Sequence, residues 1–187
     1  MTPAFKTPPT RPRLGFSDYL DSLSNFGIEP SLAGIRALCE TLGRPQDLLK
    51  IVQITGTNGK TSVARMVGAI LEAHGIGAGV YTSPHLESYR ERIVLRQESI
   101  SVSDFEALGG TVRAAIGGAE QMMAESDGTD ARRITQFEAL TGAALSAFTD
   151  TRVDAAIMEV GMGGRWDATS VGLPAVSVIT KARPPSM

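Results

Sequence analysis

A glycine-rich segment, residues 56–62, lies directly between an apolar run and an amphipathic run, and it constrains the fold more than any other feature. The segment reads Gly-Thr-Asn-Gly-Lys-Thr-Ser, follows the apolar residues 51–54, and opens the run from Val63 to Leu71. Strand, glycine loop and helix in this order is the context of a nucleotide phosphate loop. Glycines let backbone N–H groups face an anion without an obstructing Cβ atom, and the positive end of the following helix adds attraction. The segment therefore predicts a phosphate-binding loop.

Two side chains of this loop have predicted roles of their own. Lys60 would reach the terminal phosphates of a nucleotide, and the Thr61 hydroxyl would face Mg²⁺. The standard pattern also has a glycine five residues before Gly59, where this chain has Ile54, so the loop is a shortened variant. The alternative is an ordinary glycine turn at the start of a helix, and the Lys-Thr pair there favours phosphate binding.

Composition excludes several classes of protein. The chain has 187 residues, of which 42% are hydrophobic and 20% charged, which suffices for one domain with a core. A net charge of −2 gives no indication of a nucleic-acid or membrane partner. Cys39 is the single cysteine, so no internal disulfide can form, and no apolar stretch reaches the length of a membrane span. The proline-rich residues 1–15 are predicted to be a disordered tail without a signal sequence, which predicts a cytoplasmic location.

Strand and helix patterns alternate along the chain. Strands are predicted at residues 50–55, 79–81, 93–95, 153–160 and 176–180, and helices at residues 16–23, 31–43, 63–71, from 103 onward and 137–148. A capping box of Ser103 and Glu106 is predicted to begin the fourth helix, and residues 117–133 are predicted to be a linker. The alternation predicts an α/β fold, with a mostly parallel sheet and helices on both faces. Ligands of such sheets lie at the carboxyl ends of the strands, so the loops after Thr55, Tyr81 and Val160 should meet.

Three of these loops together resemble one family. They are the glycine loop, the segment Thr-Ser-Pro-His-Leu at residues 82–86 with Glu-Arg-Ile at 91–93, and the segment Glu-Val-Gly-Met-Gly-Gly-Arg-Trp-Asp-Ala-Thr at 159–169. In this order they resemble the folylpolyglutamate synthase/dihydrofolate synthase branch of the Mur ligase family, over residues 16–180. The fold implied is the P-loop-containing central domain of Mur ligases.

The resemblance implies an enzyme, an ADP-forming ligase of folate metabolism. ATP would phosphorylate the carboxylate of dihydropteroate or of a folate, and the amine of L-glutamate would then displace phosphate from the acyl phosphate. ATP and Mg²⁺ are the implied cofactors, and the parent enzyme would be a monomer. Two alternatives stay open, namely a Mur-type cell-wall ligase fragment and an ATP-binding module without catalytic activity.

The resemblance also assigns roles to residues. The ATP-binding residues would be Gly56, Thr57, Asn58, Gly59, Lys60, Thr61 and Ser62. Lys60 and Glu159 would be catalytic, and Thr61, Ser83 and Glu159 would bind the metal. Glu159 ends an apolar strand, where an unpaired carboxylate is costly. The alternatives are that Glu159 caps a helix or pairs with Arg165, and that Ser83 is a turn serine before Pro84.

Five residues would contact the acceptor substrate: Arg36, Ser83, Pro84, His85 and Phe137. Phe137 matches an aromatic position that lies near the pterin in similar proteins, and the alternative is a simple core position. For Arg36 and His85 the alternative is solvent exposure. Trp166 is expected to pack within its loop.

The end of the chain departs from the family pattern. After Thr180 the family continues to an Asp-His pair, whose His is a metal ligand, and then to a C-terminal ligase domain. This chain instead ends with residues 181–187, which resemble no family segment. We therefore expect residues 16–180 to be an incomplete, truncated ATP-binding domain, with doubtful activity on its own.

Overall fold

A computed structural model describes residues 14–24, 31–127 and 132–181 of the protein. The helices are α1 (Phe16–Leu23), α2 (Ala33–Thr41), α3 (Lys60–Ala73), α4 (Val102–Asp127) and α5 (Gln136–Asp150). The strands are β1 (Ile51–Thr55), β2 (Ala78–Tyr81), β3 (Ile93–Leu95), β4 (Glu98–Ser99), β5 (Ala155–Glu159) and β6 (Pro174–Ile179). Short 3₁₀ turns cover Pro45–Leu48, Tyr89–Arg92 and Ala168–Ser170.

The strands form one six-stranded sheet in the order β4-β3-β2-β5-β1-β6. β1 pairs in parallel with β5 and β6, and β2 pairs in parallel with β5, whereas β3 and β4 are antiparallel. The prediction of a mostly parallel sheet is therefore confirmed. Because β1, β2 and β5 run the same way, Thr55, Tyr81 and Glu159 all end at the same edge of the sheet.

Helices cover both faces of the sheet, as predicted. α1, α2, α4 and α5 form a large core with one face, to which β5 contributes Ala156 and Met158. α3 packs on the other face, to which β5 contributes Ile157. Side chains of a strand alternate between its two faces, and a strand buried on both faces is apolar throughout. The apolar run that ends at Glu159 is therefore the signature of a central parallel strand.

The helix α5 is the most deeply buried of the helices. Its residues from Glu138 to Phe148 are all buried. Thr135 caps its first turn in a capping box, in which the Thr135 hydroxyl accepts from the Glu138 N–H and the Glu138 carboxylate accepts from the Thr135 N–H. Small residues at several positions, such as Gly142 against Leu38, let α5 lie close to α2.

The helix α4 corrects two expectations. Residues 117–127 continue the helix instead of forming a linker, and residues 128–131 lie outside the described residues. Ile116, Ala119 and Met123 recur at helical spacing and are buried, whereas the adjacent Gly117 and Gly118 had suggested a break. At its start, Ser101 accepts from the Asp104 N–H in place of the predicted Ser103 cap. The Glu106 carboxylate instead accepts from the Phe16 N–H of α1, so tertiary contact overrides the local capping box.

In the part of the chain that the structure describes, none of the helices combines the length and apolar character required to cross a bilayer.

Candidate functional site

The predicted phosphate loop connects β1 to α3 at the carboxyl edge of the sheet. Gly59 precedes the first turn of α3 with φ = +81°, and Gly56 has φ = +136°, values that glycine adopts without strain. A Cβ atom on Gly56 would collide with the Thr180 side chain. Thr57, Asn58 and Gly59 are exposed, so the backbone of this loop is open to a ligand.

The chain after β6 holds this loop in place. The Thr180 hydroxyl donates to the Asn58 carbonyl oxygen at 2.8 Å and lies 3.1 Å from the carbonyl oxygen of Thr55. The Thr57 N–H donates to the Lys181 carbonyl oxygen at 2.9 Å. Residues 180–181 therefore act as a brace for the loop, which the sequence did not indicate. The rest of the predicted tail, residues 182–187, lies outside the described residues.

Glu159 brings together the three residues predicted to bind a metal. Its side chain is buried, at 2% exposure, and both carboxylate oxygens lie 2.9 Å from the Thr61 hydroxyl, which donates to them. Its Oε2 also accepts from the Ser83 backbone N–H at 3.2 Å. Ion pairs with Glu159 are absent among the described residues, and Arg165 instead lies over the Trp166 ring. A buried carboxylate without a cation is costly, so this cluster fits a bound cation.

The donors of this cluster suit Mg²⁺. Mg²⁺ prefers hard oxygen ligands, and it commonly takes one or two carboxylates together with substrate phosphates and water. Within the described residues there is no group of three or more His, Cys, Asp or Glu side chains that would form an all-protein cage. One carboxylate and two neighbouring hydroxyl residues beside a phosphate loop match the open type of site.

A cavity of about 630 Å³ opens beside this cluster. Its lining comes from separate parts of the chain: Leu23, Ser24, Ser31, Ser83, Pro84, Arg92, Arg132, Thr135, Gln136, Phe137, Glu138, Gly161, Met162, Gly163, Arg165, Trp166, Asp167 and Ala168. Ser83 belongs both to this lining and to the Glu159 cluster. Through Ser83 and Glu159, the cavity therefore adjoins Thr61 in the first turn of α3.

Three of the five predicted acceptor residues line the cavity. These are Ser83, Pro84 and Phe137, and the Phe137 ring lies 6.2 Å from that of Tyr81. The other two do not line it. Arg36 is exposed on α2, on a helix whose buried side faces α4 and α5. His85 is half-buried outside the lining, where its Nδ1 accepts from Arg92 Nε at 2.9 Å.

The glycine loop after β5 forms one wall of the cavity. Asp167 is buried and organises this wall, because its carboxylate accepts from the backbone N–H groups of Met162 and Thr169 at 2.7 and 2.9 Å. Gly163 and Gly164 have positive φ values of 66° and 88°, which let the loop turn. Trp166 is 56% exposed at the cavity, so the expectation that it packs within the loop is wrong.

Sequence reasoning missed Glu138 as a residue of the site. Its buried carboxylate accepts from Arg132 Nη2 at 3.0 Å, from the Ile35 N–H of α2 at 3.1 Å, and from the N–H and hydroxyl of Thr135. It thus joins α2, α5 and the segment before α5 behind the cavity. The Thr-x-x-Glu spacing is a capping box, and this pattern is the signal that could have identified it.

Comparison with known proteins gives a consistent result. Residues 54–184 match the Mur ligase middle domain. The dihydrofolate synthase/folylpolyglutamate synthase of Mycobacterium tuberculosis is 45% identical over 153 residues, which is 82% of this chain and 31% of that protein. The folylpolyglutamate synthase of Lacticaseibacillus casei is 37% identical over 79% of this chain and 33% of its own length. The chain thus spans about a third of the length of these curated relatives.

Solved structures show the same similarity. The structure of Mycobacterium tuberculosis folylpolyglutamate synthase complexed with ADP is 42% identical and has a TM-score of 0.81, over 89% of this chain and 36% of that one. The protein in a folylpolyglutamate synthase (FPGS)–AMPPCP–folate complex is 33% identical and has a TM-score of 0.82, over 93% of this chain and 42% of that one. Both sequence and fold therefore agree with these ligases over most of this chain.

Proposed function

This chain belongs to the Mur ligase family, in its folylpolyglutamate synthase/dihydrofolate synthase branch, and we propose that it serves ATP-dependent ligation of L-glutamate to dihydropteroate or a folate. The observation that carries this proposal is the position of Ser83, which joins the acceptor cavity to the Glu159 cluster beside the phosphate loop. An acidic acceptor in the cavity would present its carboxylate to a nucleotide held at the loop. The proposal concerns the activity of a whole ligase, since this chain spans about a third of the length of the curated relatives.

Residues 56–62 would hold the phosphates of ATP. The loop backbone at Asn58 and Gly59 and the N-terminus of α3 would supply donors and a partial positive charge. Lys60 would contact the terminal phosphates and stabilise the charge that develops during transfer. Similar proteins solved in complex with ADP or AMPPCP support nucleotide binding.

Thr61, Ser83 and Glu159 would hold Mg²⁺ when the nucleotide binds. The ion would supply charge neutralisation for the phosphates. Glu159 has its position fixed without the ion, because β5 places it at the sheet edge and two donors orient its carboxylate. As a catalytic residue, Glu159 would hold its negatively charged carboxylate at the junction between the phosphate loop and the cavity.

The cavity would hold the acceptor. Phe137 and Trp166 provide aromatic surface for a flat ring system, and Gln136, Thr135 and Asp167 provide polar atoms among them. With the ring there, the carboxylate reaches the end of the cavity near Ser83. Phosphorylation of that carboxylate gives an acyl phosphate, which the amine of L-glutamate then attacks, so phosphate leaves as the amide forms.

A ligase that acts on folates is favoured over a cell-wall ligase. The curated relatives described above are named folylpolyglutamate or dihydrofolate synthases, and an FPGS complex with folate shares the fold. A monomer in the cytoplasm, without nucleic-acid or membrane partners, stays the prediction of the sequence.

Binding measurements test the proposal. Calorimetry of the chain with AMPPCP and Mg²⁺ should show binding, and Lys60→Met should weaken it about 30-fold, since hydrogen bonds to charged groups contribute about 2 kcal/mol. Lys50→Met is the matched control, because Lys50 is exposed outside the loop and should leave the affinity unchanged. Glu159→Gln should remove most of the Mg²⁺ dependence.

Ligand choice completes this test. Pteroate should raise the melting temperature of the chain, and a UDP-muramoyl peptide should not. Stabilisation by the peptide and not by pteroate would overturn the proposal that the acceptor is a pteroate or folate. Failure of AMPPCP to bind at any Mg²⁺ concentration would overturn the nucleotide site.

A further inference from the structure

Three arginines line the cavity, and they differ in the groups that their side chains already contact. Arg132 forms an ion pair with the buried Glu138 at 3.0 Å. Arg165 is exposed and lies over the Trp166 ring, 5.9 Å from its centroid. Arg92 is half-buried, and among residues 14–24, 31–127 and 132–181 there is no carboxylate in an ion pair with it. A half-buried guanidinium at a cavity wall without an anion is suited to bind one from a ligand.

Arg92 lies at the end of the cavity where the acceptor carboxylate would be. Its carbonyl oxygen accepts from the Thr82 N–H at 3.0 Å, so its backbone adjoins the residue that precedes Ser83. Ser83 is the residue shared with the Glu159 cluster. An acceptor carboxylate that lies against Ser83 would therefore be close to the segment that carries Arg92, and Arg92 lines the same cavity.

His85 and Tyr89 fix the direction of the Arg92 side chain. Arg92 Nε donates to His85 Nδ1 at 2.9 Å, and the guanidinium carbon lies 5.5 Å from the centroid of the Tyr89 ring. The rings of His85 and Tyr89 are 4.5 Å apart. The Tyr89 hydroxyl donates to Asp21 Oδ1 at 2.7 Å and accepts from Gln136 Nε2 at 2.6 Å. A long arginine side chain loses conformational entropy when it binds a ligand. Because the contacts with His85 and Tyr89 already restrict Arg92, less entropy is lost on binding.

We propose that Arg92 binds a carboxylate of the acidic acceptor, and that His85 is a positioning residue which holds the Arg92 side chain by accepting its Nε–H. The proposal rests on the function proposed above and adds the residue that selects an acidic ligand. It also explains why His85 lies outside the cavity lining although its segment belongs to the site. The acceptor role requires the tautomer with the proton on Nε2, because a doubly protonated ring has no lone pair on Nδ1.

Two variants of His85 and two ligands test this inference. His85→Phe keeps a ring beside Tyr89 but removes the acceptor, and His85→Asn offers a carboxamide oxygen as a replacement acceptor. The probes are pteroate and its uncharged carboxamide, with dissociation constants measured by calorimetry at one fixed pH.

The expected pattern is specific to the charge. His85→Phe should weaken pteroate binding about 10-fold and carboxamide binding less than about twofold, since only the charged ligand uses the oriented guanidinium. Arg92→Met should remove the preference for the acid over the amide. His85→Asn should retain most of the affinity for pteroate, because its carboxamide oxygen can accept the Arg92 Nε–H.

Each outcome decides one question. If wild-type protein binds acid and amide equally, or if His85→Phe weakens both ligands alike, the inference is wrong while the proposed function stands. If neither ligand binds the wild-type chain although AMPPCP does, the acceptor proposal itself fails. If His85→Asn weakens pteroate binding as much as His85→Phe does, His85 does not act by accepting the Arg92 Nε–H.

Discussion

The phosphate loop is seven consecutive residues, whereas the adjoining cavity takes its lining from residues 23–24, 31, 83–84, 92, 132, 135–138, 161–163 and 165–168. The loop uses backbone groups and one helix end, so its geometry follows mainly from local chain order. The cavity uses side chains that only the packing of α1, α5 and three loops brings together. A site made of consecutive residues, such as the phosphate loop, can be recognised in the sequence. A site made of residues from distant segments, such as the cavity, depends on buried contacts such as those of Glu138.

The largest effect is expected at Glu138. Glu138→Ala should lower the free energy of unfolding by about 3 kcal/mol, because it leaves Arg132 and the Ile35 N–H without their partner. Urea denaturation measures this loss, and pteroate binding should fall with it. AMPPCP affinity of the folded protein should be unchanged if the two halves of the site are built independently.

Glu98→Ala is the matched control for Glu138. Glu98 is an exposed glutamate on β4, so its replacement should change stability by less than about 0.5 kcal/mol. A loss of AMPPCP affinity in Glu138→Ala, with none in the control, would show that the loop depends on the cavity wall and would break the comparison.

A smaller effect is expected where the loop itself depends on tertiary contact. Thr180→Val keeps the shape against Gly56 but removes the hydroxyl that donates to the Asn58 carbonyl oxygen. We expect a loss of about 1 kcal/mol in unfolding free energy and roughly a fivefold weaker AMPPCP complex. Ser177→Val, a change at an exposed residue of β6, the strand that precedes Thr180, should alter neither value. Unchanged nucleotide affinity in Thr180→Val would mean that the loop is fully determined by its own residues.

The smallest effect on folding is expected at Trp166, on the rim of the cavity. Trp166→Ala should weaken pteroate binding roughly fivefold, because an aromatic contact contributes about 1 kcal/mol, while stability changes by less than about 0.5 kcal/mol. Leu173→Ala, a change at an exposed residue outside the lining, is the control. Trp166 is also the single tryptophan of the chain, so its fluorescence should respond to pteroate and not to AMPPCP. A response to AMPPCP alone would place Trp166 at the nucleotide.

The sequence predicted those parts of the fold that have strong periodicity. The helix at Phe16–Leu23 and the strands around Ile51–Thr55 and Ala155–Glu159 were found where expected. The prediction was wrong in the middle of α4, where paired glycines and polar residues hide the helical recurrence of buried side chains. It was also wrong at the cap of α4, because Glu106 binds the start of α1 instead.

The same division holds in the candidate site. The loops that carry Thr61, Ser83 and Glu159 were predicted to meet, since the ends of parallel strands lie at one edge, and the resemblance to the family assigned these residues to one metal site. In the structure, Thr61 and Ser83 both contact Glu159. Arg36 was expected near the acceptor, yet it is exposed outside the cavity. An arginine on an amphipathic helix can face either way, and only the packing of α2 against α4 and α5 decides the direction.

The sequence by itself determined the order of strand, phosphate loop and helix, the parallel sheet and the family, because these depend on periodicity and on short local motifs. Only the tertiary structure decided that Glu138 joins three segments and that residues 180–181 brace the loop. The physical reason is the distance along the chain. Hydrogen bonds between residues about a hundred positions apart leave no periodic trace in one sequence, and they form only when the core has fixed the elements that carry them.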